Sequence, residues 1–306
     1  MEIRHLQKSD DYLAISRIYE ESWKFAYKDI VPQSYLDEIP TGMWAPKLNQ
    51  DGIYSLVLIE DGIMIGTSSY SKSRISEYEG YGEIISIYLL PEYIGRGYGK
   101  RLLHAVLKEL AKLGYRDIYL WVLEENHRAR IFYEREGLTF DGNQMNHVIG
   151  GKELTELRYS YRVPDFFYKE FVSVTDYNAL REAVKWGKLA VEQAQQGLKG
   201  SAYVVGCYDG SQIAGCARII WDGGYIAYLA DVMVMPKYQG MGIGRHMVEL
   251  AIKFVKAQLK EGWKIKIVLV AAKGKEIFYK KFGFHERPNE KDGAGMDLWV
   301  QEMESL

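Results

Sequence analysis

Cysteine is nearly absent. The 306-residue chain carries two, Cys207 and Cys216, too few for a disulfide framework or a cysteine-based metal cluster. Both read as small core residues on neighbouring strands, because a free cysteine packs as a buried hydrophobe. Charge of one sign is lacking too: the formal net charge is −2 and the pI is near 6.3. That offers no basic field for nucleic acid or an anionic membrane, and no Lys/Arg block resembles a targeting tail. No window approaches the roughly 20 apolar residues of a membrane span, and the N-terminus, MEIRHLQKSDDY, lacks the apolar core of a signal peptide. The expected location is the cytoplasm and the expected partners are small molecules or proteins. What is present is length and apolar content, 47% of residues, enough for two domains with separate cores.

The chain repeats itself. PEYIGRGYGKRLL (91–103) returns as PKYQGMGIGRHMV (236–248), a shift of 145 with the glycines coincident. IFYEREGL (131–138) returns as IFYKKFGF (277–284), and the turn Asp61-Gly62 returns as Asp209-Gly210. Three landmarks in one order at nearly one spacing indicate a duplicated domain, and so long a period excludes a solenoid. The boundary is expected near YRVPDFF (161–167), where Pro164 interrupts two strand-like stretches, giving domains 1–163 and 164–306.

Each half then reads alike. An opening strand leads to a helix cap, in SDDYLAI (9–15) and in TDYNALREAV (175–184). After the helical segment a hairpin turns on Asp-Gly, and a longer strand runs into the glycine loop. An amphipathic helix follows, with Leu102, Leu103, Val106, Leu107 and Leu110 on one face, matched by Met247, Val248, Ala251, Ile252 and Val255. Strand DIYLWVLE (117–124) or KIKIVLVA (264–271) precedes a short helix carrying the Phe-Tyr pair. The helical segment before the hairpin is 17 residues shorter in the second half, so the halves are not expected to share a substrate pocket.

A strand, a loop of alternating glycines and a helix bring consecutive backbone N–H groups to a positive helix end, which suits a pyrophosphate. The spacing is neither a P-loop, since the Gly-Lys-Ser/Thr ending is missing, nor a dinucleotide fingerprint. A tight turn without ligand remains the bland reading of one copy.

The two motifs together resemble the GNAT superfamily of acyl-CoA-dependent N-acetyltransferases, twice, over nearly the whole chain. The Gln/Arg-x-x-Gly-x-Gly/Ala pattern is intact in Gln239, Gly240, Met241, Gly242, Ile243 and Gly244. Ile94 replaces the Gln ahead of Gly95, Arg96, Gly97, Tyr98 and Gly99. The downstream Asn-x-x-Ala-x-x-Phe-Tyr-x-x-x-Gly pattern is complete in Asn126, Ala129, Phe132, Tyr133 and Gly137. In the second half Ala272 takes the Asn position while Phe278, Tyr279 and Gly283 remain.

The resemblance implies an α/β (α+β) fold of two tandem domains, each a mixed, mostly antiparallel twisted sheet flanked by helices. It implies acetyl-CoA as co-substrate, no metal, and direct transfer to a primary amine without a covalent enzyme intermediate, since no Cys or Ser stands in a nucleophile motif. Gly95 to Lys100, and Gly240 to Arg245, would hold the pyrophosphate. Ile87, Tyr88 and Leu89, or Val232, Met233 and Val234, would run beside the pantetheine and offer an N–H to the thioester oxygen. Asn126 is a further cofactor contact. Replacement of Gln by Ile94, and of Asn by Ala272, is expected to weaken cofactor binding modestly.

The same resemblance places Tyr133 and Tyr279 beside the sulfur, where a phenol can donate to the departing thiolate; taken alone, an Ile-Phe-Tyr run is ordinary core. Glu83, on the strand entering the first loop, is a candidate base, directly or through water, or else a solvated strand-edge charge. Asp231, within apolar YLADVMVM, is a base, an ammonium-binding group or a hydrogen-bonded structural residue. His104 and His246 read as surface or capped helix residues. Trp23, Tyr27, Trp44 and Trp186 are pocket-wall candidates, and the tail 285–299 is expected to lead into a last strand near the acceptor site. The acceptor is a small-molecule, peptide or protein amine, and a homo-oligomer is left open. Two rival readings keep catalysis in one half, or make the chain a non-catalytic acyl-CoA-binding module.

Overall fold

In the computed structural model, which describes residues 1–48 and 50–296, the chain divides into two compact units, Met1–Pro164 and Asp165–Leu306. The first contains β1 (Glu2–His5), α1 (Tyr12–Ala26), α2 (Gln33–Asp37), β2 (Ile53–Glu60), β3 (Ile63–Lys72) and β4 (Gly82–Leu89). It continues with α3 (Tyr98–Lys112), β5 (Asp117–Leu123), α4 (His127–Arg135), β6 (Thr139–Ile149) and β7 (Lys152–Arg162). Its sheet order is β1-β2-β3-β4-β5-β7-β6. All neighbours are antiparallel except β4 and β5, whose parallel pairing requires a crossover, supplied by α3.

The second unit contains β8 (Phe166–Lys169), α5 (Val174–Ala183), α6 (Val191–Lys199), β9 (Tyr203–Asp209), β10 (Gln212–Trp221), β11 (Ile226–Val234), α7 (Ile243–Ala257), β12 (Lys266–Val268) and α8 (Glu276–Lys280). Its sheet order is β12-β11-β10-β9-β8, again parallel at one place, between β11 and β12. The β6–β7 hairpin has no counterpart among the described residues of this unit. The last strand anticipated after residue 285 would reach residues outside the described ones.

The helix that follows each glycine loop buries the face its spacing predicts. Leu102, Leu103, Val106, Leu107 and Leu110 are all buried in the first unit, as are Met247, Val248, Ala251 and Val255 in the second, with Ile252 only partly so. α1 starts at Asp11, whose carboxylate accepts from Leu13 N at 2.9 Å and Ala14 N at 3.1 Å. The second unit corrects the sequence reading: α5 starts one residue before Thr175, because Ser173 caps it, accepting from Asp176 N at 3.0 Å and donating to the Asp176 carboxylate at 2.8 Å.

The hairpins differ as well. Asp61 and Gly62 both have positive φ, +49° and +80°, the pattern of a type I′ turn. In the second unit Asp209 is still strand and pairs with Gln212. The turn is therefore Gly210-Ser211, with positive φ at Gly210 (+57°). Among the described residues no helix is long and apolar enough to cross a membrane.

Candidate active site

Each sheet opens where its parallel strands meet. β4 and β5 pair only at Gly82↔Ile118 and Glu83↔Tyr119. One residue later the register between β3 and β4 slips, from Tyr70↔Ile84 to Ser69↔Ser86, leaving Ile85 as an extra residue. Such a bulge bends its strand, and β4 from Ile84 to Leu89 runs on with no strand beside it on the β5 side. β11 behaves likewise. It pairs with β12 from Ile226 to Tyr228, then slips against β10 between Cys216 and Arg218, where Asp231 takes a φ of +50°.

The glycine loops close these clefts at one end. Gly95 and Gly97 have φ of +82° and +84°, Gly240 and Gly242 +85° and +86°, and at all four a Cβ would meet nothing within 4 Å. Conformation, not crowding, requires glycine there. The third glycine does a different job. A Cβ at Gly99 would lie 3.5 Å from Leu89 Cδ1 and 3.6 Å from Phe132 Cζ, and one at Gly244 3.5 Å from Val234 Cγ2 and 3.6 Å from Phe278 Cζ. It seats the helix against the strand end and the Phe of the Phe-Tyr pair. Gly97 and Gly242 give α3 and α7 no side-chain cap, so the first-turn N–H groups are open to an anion.

The charged loop residues are engaged elsewhere. Lys100 Nζ lies 3.0 Å and His104 Nε2 2.8 Å from the Glu136 carboxylate. Arg96 lies over the Tyr93 ring, Tyr98 Oη donates to Glu60 at 3.0 Å, and Arg245 pairs with Glu249 at 2.8 Å. Gln239 Nε2 donates to Val234 O at 3.1 Å, tying the loop to its own strand. In the first unit the equivalent carbonyl, Leu89 O, accepts from Ser22 Oγ of α1 at 2.7 Å. Ile94 is thus relieved of the tie.

Side chains alternate along β4. Ile87 and Leu89 pack toward the α3 face, while Ser86 and Tyr88 meet α1. Tyr19 Oη lies 2.9 Å from Ser86 Oγ, and Tyr27 Oη lies 3.4 Å from Tyr88 Oη. Tyr133 is buried in the α3-side core, but burial and then the Tyr27 phenol push its pKa up. Burial and then Tyr27 push Tyr88 well above an ordinary phenol, with Tyr133 adding to it. The Tyr27 and Tyr88 hydroxyls thus meet between α1 and β4, Tyr133 feels the Tyr27 phenol from the α3 side, and all three stay protonated at neutral pH.

Asn126 caps α4, its Oδ1 accepting from Ala129 N at 3.2 Å. Ala272 offers no such cap. α8 begins only at Glu276 and has five residues where α4 has nine. β12 is likewise only three residues long, far shorter than the strand anticipated over 264–271. Tyr279, on α8, is raised by burial and then by Tyr228, and Tyr228 stands where Glu83 stands in the first unit.

Neither expected carboxylate is free. Glu83 is 1% exposed rather than a solvated strand-edge charge. It accepts from Arg74 N at 3.0 Å, Nε at 3.0 Å and Nη2 at 2.6 Å. Asp231 accepts from Tyr177 Oη at 2.7 Å and from Arg218 Nε. Arg218 in turn donates to Gly197 O at 2.9 Å and Ser201 Oγ at 3.1 Å. This is a structural network joining the bulge to α5 and α6. Val232 and Val234 pack on the α7-side core and Met233 on the α5 side.

Of the aromatic wall candidates, Trp23, Tyr27 and Trp44 form one group, with Trp23 to Tyr27 at 4.8 Å and Trp23 to Trp44 at 5.9 Å between ring centroids. Trp186, in the second unit, is 44% exposed, with the Arg181 guanidinium 5.9 Å from its ring centroid. Three groups escaped the sequence reading: Glu156, Trp121 and Arg158, all on the α1-side face. The signal was available in GKELTELRY, where Leu154, Glu156 and Arg158 alternate with the core residues Leu157 and Tyr159 and put two charges on a covered face. Trp121 Nε1 and Arg158 Nη1 are buried without a hydrogen-bond partner. Among the described residues no group of three or more His, Cys, Asp or Glu side chains could hold a metal ion.

Comparison with known proteins agrees with this architecture. A family model described as the acetyltransferase (GNAT) family matches residues 13–138, and one described as an acetyltransferase (GNAT) domain matches residues 199–286. The uncharacterized N-acetyltransferase YuaI of Bacillus subtilis is 32% identical over 130 residues, 42% of this chain and 74% of that protein. An uncharacterized N-acetyltransferase of Archaeoglobus fulgidus is 31% identical over 140 residues, 45% and 92%. Among solved structures, a probable acetyltransferase of Staphylococcus aureus is 30% identical, covering 45% of this chain and 100% of its own, with a TM-score of 0.40. The chain belongs to the GNAT acetyltransferase family and carries two of its domains.

Proposed function

We propose that the protein transfers an acetyl group from acetyl-CoA to a primary amine in a ternary complex, and that the first unit performs the transfer. The observation that carries this reading is the separation of β4 from β5 directly after Glu83, with an uncapped helix start at one end. The pyrophosphate of acetyl-CoA would sit on the backbone N–H groups from Gly95 to Lys100, with Ile87 to Leu89 offering their main chain to the pantetheine arm. Coenzyme A is the ligand of a PaiA N-acetyltransferase from Thermoplasma acidophilum with a similar fold, 21% identical, covering 53% of this chain and 100% of its own, with a TM-score of 0.41.

The reaction needs a donor for the departing thiolate. Tyr133 supplies it, but a phenol raised above its ordinary value of about 10 is a weaker acid than a thiol of about 8.5. It therefore stabilises the thiolate by a hydrogen bond and relays the amine's proton to it.

The second unit keeps the phosphate-binding geometry and loses the catalytic one. Its β12 has three residues and α8 five, where β5 has seven and α4 nine. Its role is to bind an acyl-CoA without turning it over. The two readings separate in one experiment, thiol release from acetyl-CoA across a panel of primary amines with Tyr133→Phe and Tyr279→Phe made singly. Tyr133→Phe is expected to lower kcat at least tenfold and Tyr279→Phe to leave it unchanged; equal losses would place catalysis in both units.

A further inference from the structure

On the sheet face covered by α1 and α2, β7 presents Leu154, Glu156 and Arg158. Leu154 closes an apolar cluster with Val31, Leu36, Ile39 and Leu123, and Arg158 is 7% exposed, its guanidinium 3.8 Å from the Tyr78 ring centroid and its Nε 2.8 Å from Asp141. Between them Glu156 pairs in register with Leu123, the last residue of β5. It thus stands at the end of the strand from which β4 has diverged.

Its surroundings set it apart from Glu83. Among the described residues one ion-pair partner is near, His147 of β6 at 3.2 Å, half-exposed itself, and a quarter of the Glu156 side chain remains open. Burial raises its pKa; His147 and Arg74 oppose that and Glu83 adds to it. Its charge also reaches the Tyr27 phenol, which touches Tyr88 on β4. Glu156 therefore shares one electrostatic neighbourhood with Glu83 of β4, Arg74 after β3, His147 of β6 and Tyr27 of α1. Beside it, Trp121 and Arg158, directly opposed across β5 and β7, each hold a buried N–H without a hydrogen-bond partner, a polar contact that a substrate or water would supply.

We propose that Glu156, not Glu83, receives the proton of the acceptor's ammonium group; this rests on the acetyl-transfer reading above. Glu83 cannot do so while Arg74 saturates it and no solvent reaches it, and its role is to hold Arg74 within electrostatic reach of Glu156. In the transfer, one proton leaves the ammonium for Glu156 and is later released to solvent past His147. The neutral amine attacks the thioester carbon, a C–N bond forms and the C–S bond breaks. The second amine proton passes, through Tyr133, to the thiolate, leaving an amide that keeps the third. The substrate class is an amine that is cationic in solution, drawn to a carboxylate.

The test is Glu156→Gln in the full chain, with acetyl-CoA binding measured by calorimetry and thiol release measured with ethylamine, glycinamide and 1,4-diaminobutane across pH. The expected result is a loss of about 10²-fold or more in kcat, the range of a general base, with acetyl-CoA affinity held within twofold. The acidic limb of kcat/KM, which in the native protein lies above the ordinary glutamate value of about 4.3, should vanish. A Gln variant within threefold of the native rate, or with the limb intact, overturns the assignment and leaves acetyl transfer standing. No thiol release by the native protein with any of these amines overturns the transfer reading and the assignment with it. Should the Gln protein fail to fold, Glu156→Asp decides: a rate lowered about tenfold with the limb retained supports the role, and the native rate overturns it.

Discussion

Ser22 Oγ donates to the carbonyl of Leu89 at 2.7 Å, and in doing so takes over in the first unit what Gln239 does for Val234 in the second. Both hold the last carbonyl of the cleft strand just before the glycine loop. Ser22→Ala is expected to loosen this end by about 1 kcal/mol, the net worth of one hydrogen bond. That corresponds to roughly fivefold weaker acetyl-CoA binding by calorimetry. Ile94→Gln in the Ser22→Ala background should recover it. Unchanged affinity in the single variant would show that the tie does not position the loop.

The two kinds of glycine in the loop predict a graded response. Gly97→Ala forces a side chain into left-handed backbone, a cost of about 1–2 kcal/mol. Gly99→Ala adds a methyl at ordinary contact distance from Leu89 and Phe132 and should cost well under that. Urea unfolding of both variants checks the order; a larger loss for Gly99→Ala would reverse it.

Arg74 and Glu83 predict asymmetry. Arg74→Ala leaves a buried carboxylate without its charged donor and is expected to destabilise the first unit by about 1–3 kcal/mol. Glu83→Gln leaves an arginine that is half open to water and should cost less. Denaturant midpoints of the two single variants read this directly, and equal losses would contradict the burial difference.

Tyr27, Tyr88 and Tyr133 predict an alkaline transition. Each has a phenol raised by burial. A group whose folded pKa exceeds its unfolded value of about 10 contributes fully below that pH, and its contribution is lost as pH rises toward the folded value. Melting temperature is therefore expected to fall from about pH 10 upward, and phenolate absorbance should lag behind free tyrosine. A phenolate titration complete near pH 10 would remove the idea.

Much of the fold was legible because its signals are local. Glycine at positive φ, apolar spacing in α3 and α7, and the caps at Asp11 and Asn126 each involve residues within a few positions of one another. The duplication made a weak loop motif readable as a site. Where the reading slipped, the deciding partner was distant or an element had degraded. The anticipated strand over 264–271 has the apolar run of a strand but pairs over three residues only. Glu83 read as a base or a solvated strand-edge charge because Arg74 folds back onto it from the loop after β3, and Asp231 was ambiguous until Tyr177, 54 residues away, closed on it.

Sequence alone determined the duplication, the glycine loops and the buried helix faces, since backbone conformation and periodicity are properties of short stretches; the roles of Tyr133 and Tyr279 rested on the family resemblance. Tertiary packing determined which ionisable groups are spent and which remain free. Whether a carboxylate keeps its charge for substrate depends on the donors and the depth of burial around it, and those are set by how loops, strands and helices pack, with partners 9, 13 and 54 residues away. Glu83 lost its freedom to Arg74, Asp231 to Arg218, and Glu156 kept it.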